Sequence, residues 1–314
     1  MSTTASPPAI EAPAAASRIA HVSPAAELPD ILPPVRRRGR FRTLLRRYPT
    51  MVIGGALLLA ILLVAVFAPV LWTVDPTAIA PSRRNRFPSE LYWFGTDALG
   101  RDIYSRVLYG ARVSLIVGFA VAALSSAVGL AIGLVAGFVR WLDSVVMRVM
   151  DGLMSIPPIL LAIALMALTR GSVGNVITAI TIAEIPRVSR LVRGVVLSLR
   201  EQPYVEAAIA SGTRTPQIIW RHIVPNTLAP IVVQATYICA SAMITEAILS
   251  FIGAGTPPII PSWGNIMAEG RALWQVKPYI VLFPAIFLSV TVLAVNLLGD
   301  GLRDALDPRM AKRL

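Results

Sequence analysis

Charge is scarce in these 314 residues: 15% are Asp, Glu, Lys or Arg, while 55% are hydrophobic. With a mean hydropathy of +0.68, this balance excludes an ordinary soluble domain and points to the membrane class. Lysine is scarcer still, with only Lys277 and Lys312, preceded by Val276 and Ala311. No Gly-Lys pair exists, so there is no Walker A loop to hold nucleotide phosphates, and the chain is no P-loop ATPase by itself. The single cysteine, Cys239, excludes a disulfide framework and a cysteine metal site. The only histidines, His21 and His222, fall in an N-terminal tail and a polar insert and make no metal-binding pair. No metal or cofactor is therefore expected on this chain. A membrane-embedded enzyme lacks its catalytic set, since no HExxH, no GxSxG and no facing pair of helical carboxylates occurs. The net charge of +12 accompanies no nucleic-acid module. Its arginines border apolar runs, where they set topology and meet anionic headgroups, so the expected surface partner is the lipid bilayer and not nucleic acid.

What is present is a series of apolar runs. Residues 1–35 are rich in Ala, Pro and Ser and read as a disordered tail, followed by the basic block RRRGRFRTLLRR ending at Arg47. Residues 51–72, MVIGGALLLAILLVAVFAPVLW, carry no charge and are long enough for a ~30 Å hydrocarbon core. Further spans are expected at 113–139, 145–168, 173–199, 227–252 and 278–298, which gives an all-α membrane protein with six transmembrane helices. Pro157-Pro158 should kink the third. Arg187, Arg190 and Arg193 should extend the fourth beyond the bilayer as an amphipathic helix. With the N-terminus inside, 20 of the 29 Lys and Arg residues lie on cytoplasmic segments, so both termini are expected in the cytoplasm. The implied organisation is a cytoplasmic tail (1–47), a first helix with a long external loop (48–110), a five-helix domain (111–303) and a C-terminal tail (304–314).

The cytoplasmic segment YVEAAIASGTRTPQIIWRHIVPN, residues 204–226, is polar and rich in small residues among greasy neighbours. Pro203 suits a helix start, and Gly212 suits a helix end that needs φ > 0. Thr215-Pro216 suits a second start, with Pro225 closing it. The insert thus reads as helix, glycine turn, helix. Its small side chains would admit a close partner, with Glu206 as an acceptor. The plain alternative is an interfacial loop helix whose alanines reflect helix propensity.

The order of residues separates these. Glu206-Ala207-Ala208, then Gly212, then Ile223-Val224-Pro225, resembles the EAA loop of ABC-importer permeases. FGTDALGRDIYSRVLYGARVSL (94–115), LSFIGAGTPPIIPSWGNIM (249–267) and NLLGDGLRDALDPR (296–309) resemble signatures of the dipeptide/oligopeptide/nickel importers, in the form of their second permease subunit. The likeness spans about 35–310; Val224 and the segment AEIPRVSR depart from the commoner pattern. It implies a MetI-like permease core with an added N-terminal helix, and a coupling loop at 201–226. It also implies a homologous second permease subunit, two ATP-binding-cassette subunits that use ATP and Mg, and an extracytoplasmic peptide-binding protein. The implied function is import of di- or oligopeptides across the bacterial inner membrane, with nickel or another small solute as the alternative cargo. A membrane enzyme or a scaffold is a distant alternative.

Within the external motif Gly95, Thr96, Asp97, Gly100, Arg101 and Asp102, the carboxylates and Arg101 are spaced for a local ion pair, as a brace or as a contact for a delivering protein. Trp263, after Pro257-Pro258, is a gate element or an interfacial anchor. Glu246 falls inside the fifth span, where a carboxylate faces a cavity, a partner or a buried hydrogen bond; a place on the translocation path is one of these readings.

Overall fold

The computed structural model describes residues 47–306; the expected disordered tail, all but the last residue of the basic block, and the end of the C-terminal segment lie outside them. The described chain is helical, and among those residues the only β feature is an isolated bridge between Thr96 and Asp102. α1 (Pro49–Phe67) runs into a 3-10 turn, and a long loop then leads to α2 (Ile103–Phe138). α3 (Arg140–Met154), α4 (Pro158–Ala167) and α5 (Val173–Arg200) follow. Next come α6 (Pro203–Ala210), α7 (Thr215–Ile218), a π turn (Ile219–Ile223) and α8 (Val224–Phe251). α9 (Trp263–Gly270) and α10 (Tyr279–Leu306) complete it.

Among the described residues, four segments are long and apolar enough to cross a membrane by themselves: Pro49–Val70, Ile103–Phe138, Thr215–Phe251 and Tyr279–Leu306. The α3–α4 pair, bent by 87°, makes a fifth if it is counted as one span. This break replaces the kink expected at Pro157-Pro158: Pro157 is extended, with ψ 132°, which interrupts the helix outright. α5 covers the fourth expected span, 173–199, but is not among the segments apolar enough to cross by themselves. Its 28 residues reach about 42 Å, but Glu184 and four arginines make it less apolar than the others. α2 begins at Ile103 instead of 113, because Asp102 caps it by accepting from Ser105 N at 2.8 Å. α10 continues to Leu306, beyond the expected 298.

α2 is the central helix, and its small residues bring α5 close. Gly129, Gly133 and Gly137 repeat every four residues and face Val188, Val192 and Val196, which repeat likewise. A Cβ added at Gly133 would lie 2.6 Å from Val192 Cβ and 2.7 Å from Ser189 O. Bare backbone on one helix thus receives β-branched side chains from the other, the usual means of tight packing between spans. Ion pairs brace the same side: Arg193 makes two bonds to Asp143 on α3, at 2.5 and 2.6 Å, and Arg190 pairs with Asp151. These two arginines therefore tie α5 to α3.

Candidate functional site

The insert takes the expected form with two corrections. Pro203 occupies the first turn of α6, where its missing N–H leaves no bond unmade. The helix then ends in a Schellman arrangement, with Gly212 N donating to Ile209 O (2.9 Å) and Thr213 N to Ala208 O (3.1 Å). Gly212 has φ +76°. The second helix is capped by Arg214, not Thr215, since Thr215 is already helical and Pro216 sits in the first turn. Pro225 does not close that helix. The chain passes through the π turn into α8 with Pro225 in its first turn, where a missing N–H is tolerated.

Burial divides the insert into root and tip. Val205, Ile218 and Ile223 are buried against the helical core. Glu206, Ala207 and Gly212 are exposed, Ala208 is partly exposed, and Tyr204, Ile209 and Trp220 present large apolar surface beside them. A Cβ on Gly212 would meet nothing within 4 Å. The arrangement is a rigidly rooted projection whose tip has room for another surface.

At the opposite end of α2, the motif from Gly95 to Asp102 closes into a clasp. Gly95 (φ +79°) and Gly100 (φ +77°) turn the chain, and a Cβ at Gly100 would lie 1.9 Å from Ala80 O. Thr96 Oγ1 donates to Arg83 O and accepts from Arg86 N. Asp97, 1% exposed, accepts from Arg101 Nε at 2.7 Å and from Arg106 Nη1 at 2.6 Å. Both arginines also pair with Glu269 of α9. Tyr279 Oη donates to Arg86 O and Thr96 O (2.9 and 3.2 Å), and Phe94 stacks on Phe283, locking the loop to α10. Asp102, apart from this cluster, serves as the α2 cap. Further out, Asp75 accepts from the side chain and backbone of Thr77, which holds its carboxyl below the usual carboxylate range. Arg106 and Glu269 were absent from the sequence-based site.

Glu246 and Trp263 serve separate contacts. Glu246 is fully buried on α8 and accepts from Ser250 Oγ at 2.8 Å, with Ser114 Oγ of α2 at 3.5 Å. Ser250, Thr256, Ser262 and Asn265 continue this polar chain through the loop into α9. Trp263, also fully buried, donates Nε1–H to Val107 O at 3.0 Å. Together these contacts fasten the loop and α9 to α2.

Two family models match the chain. Binding-protein-dependent transport system inner membrane component covers residues 129–312, and the N-terminal transmembrane domain of oligopeptide transport permease C covers 39–88. The chain is 53% identical over 268 residues to a probable peptide ABC transporter permease protein of Sinorhizobium fredii, covering 85% of this chain and 92% of that one. It is 42% identical to the dipeptide transport system permease protein DppC of Alkalihalophilus pseudofirmus (85% and 88% covered). It is also 42% identical to the glutathione transport system permease protein GsiD of Salmonella typhimurium (93% and 96% covered). Its fold resembles an inward-facing MetNI methionine ABC transporter chain with a TM-score of 0.54 at 21% identity, over 64% of this chain and 96% of that one. That likeness gives the helices after α1 a MetI-like architecture. By these matches the chain belongs to the family of inner membrane components of binding-protein-dependent transport systems.

Proposed function

We propose that this chain is the transmembrane subunit through which an ATP-driven importer moves di- or oligopeptides into the cell. ATP is hydrolysed on two separate ATP-binding-cassette subunits, a homologous permease supplies the other half of the pore, and an extracytoplasmic protein delivers cargo. The observation that carries the reading is the insert with a buried root and an exposed tip. Glu206, Ala207, Ala208 and Gly212 are proposed to dock a motor, with Ile223 and Pro225 joining that contact to α8. Motor closure would then rock α8 and α5 and alternate access to the cavity between the two permeases. Peptide cargo is supported by the names of the three relatives given above, which span peptides, dipeptides and glutathione. Both termini are proposed to lie in the cytoplasm, on the side of the insert.

The clasp around Asp97, Arg101 and Arg106 and the network around Glu246 and Trp263 are proposed as braces for the outer ends of α2, α8, α9 and α10. Their buried, mutually satisfied charges fit that role better than contact with cargo.

The test is reconstitution with both ATP-binding subunits, the second permease and the binding protein in proteoliposomes. Labelled dipeptide should accumulate only with ATP. Hydrolysis without accumulation of dipeptide, longer peptide or glutathione would overturn the peptide assignment.

A further inference from the structure

Three arginines follow one another on α5, and two of them are engaged by aspartates of α3. Arg187 is different. Its Nη1 lies 3.1 Å from Oε2 of Glu184, one turn earlier on its own helix. The contact lacks the alignment of a hydrogen bond, so both atoms are buried and ion-paired yet hydrogen-bond-unsatisfied. The Glu184 side chain is 4% exposed, whereas that of Arg187 is 37% exposed. The guanidinium therefore has one edge held by a buried carboxylate and the rest open.

The open part lies against α8. Arg187 Cζ is 5.6 Å from the centroid of the Tyr237 ring, and Tyr237 is itself 55% exposed. Its hydroxyl has no hydrogen-bond partner among the described residues. One turn before it, Gln234 Nε2 is buried without a partner. Arg187 and Tyr237 each lie near the middle of a 28-residue helix. The Arg187 side chain leans back toward Glu184, away from the basic end of α5 near Arg200, so it does not reach toward headgroups there. An arginine held in this way cannot face lipid at acceptable cost; it faces a watery cavity or another protein.

We propose that Arg187, with Tyr237 beside it, is a carboxylate-binding station on the translocation route that takes the C-terminal carboxylate of the peptide in transit. This inference rests on the peptide-importer reading above. Every linear peptide with a free C-terminus carries that group whatever its side chains, so one fixed guanidinium serves cargo of any sequence. The donors here outnumber the acceptors, which favours an anion. The planar fork can hold a carboxylate through two N–H groups while Nη1 stays with Glu184. Glu184 keeps the arginine compensated when cargo is absent, and its weak alignment lets cargo compete without a large rearrangement.

The test uses Tyr237→Cys in a Cys239→Ser background, in the complete complex with its partner subunits. A water-soluble thiol reagent should label position 237, and saturating dialanine should slow labelling about tenfold. The C-terminal amide of dialanine should protect little. Adding Arg187→Gln should abolish protection by dialanine, and Arg187→Lys, which keeps the charge but not the fork, should restore only part of it. Absence of labelling would place the residue against lipid or the partner permease and overturn the proposal. Equal protection by acid and amide, or protection that survives Arg187→Gln, would overturn it as well. Dipeptide uptake by the unsubstituted complex separates the two levels: its failure refutes the importer reading, and its success with no protection refutes only this station.

Discussion

Arg106 Nη1 and Asp97 Oδ2 are 2.6 Å apart, and each side chain is 1% exposed. Arg106 lies in the first turn of α2, and Asp97 belongs to the loop before it, so this pair fixes the loop onto the helix. Asp97→Ala would leave Arg101 and Arg106 with only Glu269 as a counter-charge. A buried charge that loses its partner costs about 3–5 kcal/mol. The variant is expected to lose thermal stability in detergent and to become susceptible to protease within residues 75–100. Asp97→Glu, which keeps the charge in a longer side chain, should recover part of the loss.

The Gly133–Val192 contact predicts a size rescue. Gly133→Ala places a Cβ 2.6 Å from Val192 Cβ, an overpacking that typically costs about 1–3 kcal/mol. Combining it with Val192→Ala removes the opposing methyl group at 2.8 Å but keeps the Cβ at 2.6 Å, and Ser189 O at 2.7 Å also stays close, so the rescue is partial. The double variant is expected to be more stable than Gly133→Ala alone, as measured by thermal unfolding in detergent. Additive losses would show that the seam does not set the α2–α5 spacing.

Orientation is checked by paired probes. Ser89 and Gln217 are both exposed, and three proposed crossings separate them if α3 and α4 form one bent span, with α2 and α5 on either side and the insert following α5. Counting α2, the bent pair and α5 gives an odd number of crossings, three, between the two probes; α1 lies before both. Ser89→Cys and Gln217→Cys, each with Cys239→Ser, should therefore react with an impermeant thiol reagent from opposite faces. Same-side labelling would remove one crossing and reverse the proposed position of the insert.

Local geometry was legible in the sequence. Pro203 and Gly212 each act through the backbone of their own turn, and both take the places read for them. The same local logic misplaced the second cap by one residue, because Pro216 is acceptable at either of the first two helical positions. Distant pairings were not legible. Glu269 lies 163 residues from Arg106, and Asp143 lies 50 from Arg193, so nothing in the spacing of either segment announced its partner. Glu246 was visible as an isolated carboxylate, but the Ser250–Thr256–Ser262 chain beside it depends on how the loop folds back.

The central claim, that the insert passes motor movement to the spans, is tested by Gly212→Val. Valine at φ +76° strains the turn by about 1–3 kcal/mol, while its Cβ meets no neighbour within 4 Å, so the permease itself should fold and insert. Glu206→Lys reverses the exposed charge without touching the buried root. Each variant is expressed with its partner subunits, its membrane level is measured, and ATP-dependent dipeptide uptake is read together with co-purification of the ATP-binding subunits. The account predicts normal membrane levels with uptake reduced at least about tenfold in Gly212→Val and weakened co-purification in Glu206→Lys. Full uptake and full co-purification in both variants would contradict it.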